Sequence, residues 1–148
     1  MRALIQCVTE AHVQVEQKTV GEIGPGYLIF LGIGQNDSEM EAQKLWNKIY
    51  KLRLFMDDQG KTNLSLSAIE GSVLVVSQFT LFADMKKGTR PSFSRAAGAE
   101  KGNALYEYFV GLARKDVPHV ETGEFGADMK VSLVNDGPFT IWLDTDDL

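Results

Sequence analysis

Chemistry that depends on cysteine or histidine is poorly provided for in this chain. Its 148 residues include one cysteine, Cys7, and two histidines, His12 and His119. A lone thiol excludes an internal disulfide and suits a reducing compartment. No Cys-x-x-Cys or His-Glu-x-x-His spacing occurs, so the usual zinc ligand sets are missing. Apolar runs stop well short of the roughly 20 residues that span a bilayer. The start, Arg2 followed by a strand-like segment, lacks the apolar stretch of a signal peptide. Linkers, internal repeats and low-complexity tracts are also missing. These absences lead to the expectation of one domain over residues 1–148, soluble and cytoplasmic, with no cofactor and no catalytic metal.

What is present is ordinary for a globular protein: 44% hydrophobic and 24% charged residues, with a net charge of −5. A chain of this length buries roughly 68–70% of the surface that its unfolded form exposes. The acidic balance argues against a protein that wraps nucleic acid, since phosphate neutralisation drives such binding. One stretch departs from it. Between residues 86 and 101 lie Lys86, Lys87, Arg90, Arg95 and Lys101 against Glu100 alone. That run reads either as a solvated basic loop or as a surface that meets a few phosphates.

Periodicity supplies the elements. Residues 3–15 read as a strand, with Ala11, Val13 and Val15 alternating with polar neighbours. Tyr27 to Ile33 reads as a buried strand, Leu52 to Met56 as a short one, and Ser72 to Phe82 as the clearest, continuously apolar through Val76. Ser38 and Glu41 have capping-box spacing and open a helix over 39–51, and a second helix covers 98–114. Lys130 to Asn135 and Phe139 to Asp144 read as two final strands, joined by a turn at Asp136-Gly137-Pro138. Strands grouped around two helices predict an α+β fold with a mixed or antiparallel, barrel-like sheet. Two helices leave sheet surface to cover, and a homodimer formed through the sheet would cover it.

The candidate chemistry lies in two segments. In Ser77-Gln78-Phe79-Thr80, an extended strand places Ser77 and Phe79 on one face and Gln78 and Thr80 on the other. Thr80 or Ser77 invites a nucleophile's role, but a hydroxyl is weak without an adjacent base. Neither histidine is near in sequence, and no Gly-x-Ser-x-Gly elbow occurs. Gly32-Ile33-Gly34 does not extend into a nucleotide-binding fingerprint, and the carboxylates at Asp57-Asp58 and Asp144 to Asp147 suit a solvated turn and tail. Met129 reads as core filler, and Phe125-Gly126 as a turn before a strand.

Together, Ser77-Gln78-Phe79-Thr80-Leu81 and Asn135-Asp136-Gly137-Pro138-Phe139-Thr140 resemble the two signature motifs of the D-aminoacyl-tRNA deacylases. Met1 to Gln6 and Arg90-Pro91-Ser92-Phe93 extend the resemblance over nearly the whole chain. It implies a homodimeric hydrolase acting on the ester of D-aminoacyl-tRNA and glycyl-tRNA, with the tRNA's 3′-terminal adenosine bound in the site. It also implies that Gly137-Pro138 is cis and reaches into the partner subunit's site, where two carbonyl oxygens leave no room for an L side chain. Ser77, Gln78, Phe79 and Thr80 would form the catalytic segment through positioning and main-chain donors, with the substrate's own 2′-hydroxyl assisting water. Met129 and Phe125 would line the substrate pocket beside Gly137 and Pro138.

Two positions depart from the family pattern. Cys7 stands where an arginine usually orients the Gly-Pro element, and a thiol cannot replace that planar donor fork. Phe139 stands where a smaller residue, usually valine, is common. Two other readings stay open: a nucleic-acid-binding module without catalysis, and a related editing deacylase acting on an L-aminoacyl-tRNA. The intact Ser77 to Thr80 pattern speaks against the second.

Overall fold

A computed structural model describes residues 1–148. Strand β1 (Arg2–Val15) is the spine of a mixed sheet. Along one edge it pairs antiparallel with β3 (Gly26–Gly32) and β2 (Lys18–Ile23); along the other it pairs with β8 (Lys130–Asp144). β3 continues in parallel to β6 (Ser72–Ser77), and β6 to β7 (Val120–Thr122). Each parallel step needs a crossover, and the two helices supply them: α1 (Glu39–Lys51) between β3 and β6, and α2 (Ala99–Asp116) between β6 and β7. The result is the α+β, barrel-like arrangement that the sequence predicts.

Helix α1 starts where its local chemistry says it should. Ser38 Oγ accepts from the Met40 N–H at 3.2 Å, and Glu41 Oε2 accepts from the Ser38 N–H at 2.7 Å. Its apolar stripe, Ala42, Leu45, Trp46 and Ile49, packs with Phe109 and Val110 of α2 onto the Tyr27, Ile29, Val73 and Val75 face of the sheet. The opposite face, Leu28, Leu74 and Val76, joins Val8, Ala11, Val13 and Ile23 in a second cluster. Both faces of β6 are therefore covered, which explains its unbroken apolar run.

The structure corrects four sequence-based expectations. β6 ends at Ser77 rather than Phe82, and Phe79–Phe82 forms a 3-10 turn. The Leu52–Met56 strand reduces to β4 (Phe55–Met56), paired with β5 (Thr62–Leu64) in a separate hairpin; the Leu52 N–H instead closes α1 on the Ile49 carbonyl. β2 and β7 were not expected, because neither carries a clean apolar alternation. The fourth correction concerns the C-terminus. Residues 130–144 are one strand, and Gly137-Pro138 is no hairpin turn. Asn135 pairs with Val8 and Thr140 with Gln6, so both flanks run in the same direction along β1 and residues 136–139 bulge out between them.

Candidate active site

At the carboxyl end of β6, a position where sheets with parallel strands commonly bind ligands, the ladder runs out. The Gln78 N–H makes the last link, to the Leu31 carbonyl at 2.8 Å. Beyond it the ring of Phe82 needs burial, and it finds this against the backbone of Gly32 and Gly34. A Cβ at Gly34 would lie 2.8 Å from that ring, so the Gly-Ile-Gly segment is a seat for Phe82. Phe82 is buried as a result, and the chain coils into the 3-10 turn instead of continuing the strand's alternation. Arg2 secures the turn from outside. Its Nη1 donates to the Leu81 carbonyl at 2.9 Å, its Nε to Asp144 Oδ2 at 2.8 Å, and its guanidinium lies 4.4 Å from the Phe82 ring centre. Burial tends to raise the Asp144 carboxyl, but the Asp146 N–H and Arg2 outweigh this and hold it below the ordinary range.

A cleft of about 440 Å³ opens beside this turn. Val76, Ser77, Gln78 and Phe79 form one wall, Ala97 and Ala99 at the start of α2 another, and the segment Phe125 to Met129 with Val131 the third. Of the eight residues singled out from sequence, the cleft gathers Ser77, Gln78, Phe79, Phe125 and Met129. Phe79 is 56% exposed, leaving an aromatic face at the lip. Phe125 packs on Tyr106 of α2 with ring centres 5.9 Å apart. Met129 packs against the second core cluster and also lines the cleft.

Thr80 lies one residue beyond the lining. It is exposed, and its hydroxyl accepts a hydrogen bond from Gln78 Nε2. The turn's own ladder begins with the Leu81 N–H on the Gln78 carbonyl, at 3.3 Å, so the Phe79 and Thr80 N–H groups precede it. No base stands near. His119 contacts Ser72 Oγ at 3.1 Å, at the opposite end of β6, roughly 16 Å away along the strand. The one ionisable side chain in the lining is Asp128, which pairs with Lys130 at 2.8 Å. Nowhere do three or more His, Cys, Asp or Glu side chains converge as metal ligands would. The cleft offers apolar shape with polar amide and hydroxyl groups, and no acid–base pair.

Gly137 and Pro138 do not line the cleft of their own chain. They form the tip of the β8 bulge, with a cis peptide bond between them. Gly137 has φ +112, and a Cβ there would lie 2.5 Å from the Phe139 ring, so both the backbone and the neighbouring side chain require glycine. Phe139 packs against the main core and roots the bulge. Sequence reasoning missed the residue that closes it. Asn135 Nδ2 donates to the Cys7 carbonyl at 3.0 Å and to the Phe139 carbonyl at 2.9 Å, while Gln6 Nε2 reaches Thr140 Oγ1 at 3.1 Å. The Asn135 amide thus ties the neck of the bulge to the main chain of Cys7, a bond that does not involve the side chain at position 7. The Cys7 thiol is buried; desolvation first, and the charge of Asp136 second, push it up to about 11. It is a packing residue without nucleophilic character at neutral pH.

The chain is similar to known proteins along nearly its whole length. A family model described as D-Tyr-tRNA(Tyr) deacylase matches residues 4–144. A D-aminoacyl-tRNA deacylase of Ruegeria sp. is 58% identical over 147 residues, covering 99% of this chain and 94% of the relative. That of Thermosipho melanesiensis is 54% identical, covering 98% and 97%. Among solved structures, one titled c-Myc DNA Unwinding Element Binding Protein superposes with a TM-score of 0.92 at 37% identity, covering 97% of this chain and 98% of that one. A second, titled as a probable eukaryotic D-amino acid tRNA deacylase, gives 0.81 at 20% identity, covering 96% and 97%, and supports the fold alone.

Proposed function

The chain belongs to the D-aminoacyl-tRNA deacylase family, and from that premise we propose that it hydrolyses the ester joining a D-amino acid, or glycine, to the terminal ribose of tRNA. The observation that carries the mechanism is a cleft with an exposed aromatic lip, beside a turn whose first N–H groups precede its own ladder, and with no acid–base pair in its lining. Phe79 and Gln78 receive the terminal adenosine and the aminoacyl group. The N–H groups of Phe79 and Thr80 face the carbonyl oxygen of the ester as negative charge develops on it, and water attacks the carbonyl carbon with help from the neighbouring 2′-hydroxyl, releasing the amino acid and the ribose hydroxyl. Ser77 positions the ester, and Met129 and Phe125 hold its apolar surroundings. A mechanism of this kind asks for no cofactor and no metal.

The second part of the proposal is a homodimer in which Gly137-Pro138 of one subunit walls the cleft of the other. Two features support it. Gly137 sits at the tip of the 136–139 bulge and is absent from the lining of its own chain's cleft. β8 pairs only with β1, which leaves a long free edge, and Val134 and Trp142 are 49% and 47% exposed on it. The tip's backbone carbonyls then exclude an L side chain by steric clash while admitting hydrogen, so glycine and D-amino acids pass.

Paired hydrolysis of D-tyrosyl-, L-tyrosyl- and glycyl-tRNA, with chelator present, tests the reading. Loss of the D and glycyl esters with the L ester spared is the expected result. Cleavage of the L ester as well would overturn the steric wall. If no ester is cleaved, the deacylase assignment fails and binding of nucleic acid without catalysis takes its place.

A further inference from the structure

The cleft holds only the end of its proposed substrate, and a tRNA must lay its phosphates on protein surface beyond that end. Immediately after the 3-10 turn the chain leaves the sheet in an excursion. Its base is closed by a reciprocal pair of bonds, the Asp84 N–H to the Ser92 carbonyl at 2.8 Å and the Ser92 N–H to the Asp84 carbonyl at 3.0 Å. Everything from Met85 to Ser92 is exposed. The base is fixed to the lip of the cleft: Phe93 packs edge-on against Phe79 with ring centres 5.0 Å apart, and Ala97, which lines the cleft, donates to the Ile33 carbonyl at 2.9 Å.

Charge on this excursion is opposite to that of the rest of the molecule. Four of the chain's 15 lysines and arginines, Lys86, Lys87, Arg90 and Arg95, lie on it, against one of its 20 acidic residues, Asp84 at the base. Lys101 Nζ is engaged by the Gln35 carbonyl. Lys86, Lys87, Arg90 and Arg95 form none of the four ion pairs in the structure. Cations left without carboxylates on an acidic protein, next to an exposed aromatic ring, present the chemistry that phosphodiesters recognise. A merely solvated loop would need neither the segregation of charge nor the rigid attachment to Phe79.

We infer that the 84–95 excursion is the tRNA-binding surface outside the cleft, with Lys86, Lys87, Arg90 and Arg95 taking the phosphates of the 3′ strand next to the terminal adenosine. The inference rests on the deacylase reading of the cleft. These four side chains touch no reacting atom, so their contribution lies in KM and in salt dependence, and kcat is left alone.

The test compares wild type with the triple variant Lys86→Gln/Lys87→Gln/Arg90→Gln. A control, Lys48→Gln/Lys51→Gln/Lys61→Gln, removes equal charge from exposed positions elsewhere. Hydrolysis of glycyl-tRNA and of the glycyl ester of adenosine is followed across a salt series, and binding of uncharged tRNA is titrated in parallel. Once three phosphate-binding cations are neutralised, the slope of log kcat/KM against log salt falls by about 2, and kcat/KM for glycyl-tRNA falls roughly 50-fold near 0.15 M salt. The adenosine ester and the control variant remain at wild-type values. An unchanged slope in the loop variant overturns the surface, as does an equal loss in the control. If wild type cleaves neither ester, the deacylase reading fails by itself, and the uncharged-tRNA titration judges the surface: a weaker, flatter salt dependence in the loop variant alone supports it, and identical curves sink it.

Discussion

At the scale of single residues, the proposed mechanism divides its labour between an aromatic ring and a backbone turn. Phe79 is 56% exposed at the lip, so Phe79→Ala costs little beyond its edge-on contact with Phe93 while removing a proposed stacking platform that contributes about 1–3 kcal/mol per base. Steady-state kinetics should show kcat/KM on glycyl-tRNA falling by roughly 10- to 100-fold in that variant. Thr80→Ala deletes a hydroxyl bound only by Gln78 and keeps the N–H. It should retain activity within about tenfold of wild type, and complete loss in a folded variant would restore the hydroxyl as nucleophile. Cys7 reports on pH. Its folded-state value is raised from the ordinary 9.0 to about 11, so the native chain keeps a thiol proton that the unfolded chain releases. Stability from this group is complete below pH 9 and lost as pH climbs through 11. Denaturant midpoints measured from pH 8 to 11 should decline, and Cys7→Ala should flatten the lower part of that decline. The upper part persists, because burial also raises Tyr27 and Tyr106.

At the scale of elements, the sequence was most legible where local chemistry alone decides structure. The capping box at Ser38 placed the start of α1, and its removal is measurable: Ser38→Ala should cost about 1 kcal/mol, or about 3 °C in Tm. Elements set by tertiary context were misread. Nothing in Phe79 to Phe82 says that the ladder ends at Gln78; that follows from Gly32 and Gly34 making room for Phe82 and from Arg2 gripping the turn. The Asp136-Gly137 pair carries the local signature of a hairpin, yet the chain keeps its direction, because β1 is long enough to pair with both flanks. Of the site, the motif residues were readable by resemblance. Asn135, Arg2 and Phe93 act through contacts across 70 residues or more, or across a loop, and no spacing rule exposes them.

At the scale of the whole molecule, the proposed site is shared between two chains, and this can be tested by complementation. Phe79→Ala damages the cleft and Gly137→Ala damages the tip. Gly137→Ala alone should cleave the L ester as well as the glycyl ester; when equal amounts of the two variants are co-assembled at random, about half of the intact clefts face an intact tip, so L-ester cleavage per Gly137→Ala chain should fall to about half. A wall built within one chain leaves that value unchanged in the same mixture. Sedimentation of the purified protein should show the dimer directly.

The Asn135 grip on the Cys7 and Phe139 carbonyls has an evolutionary consequence. By closing the bulge at its neck, it makes residues 136–139 a cassette whose contents can change without re-registering Thr140 to Asp144 on β1. The tip can therefore change in length or in shape while the barrel stays unaltered, so that, if the proposed wall holds, its stringency is free to drift without cost to the fold.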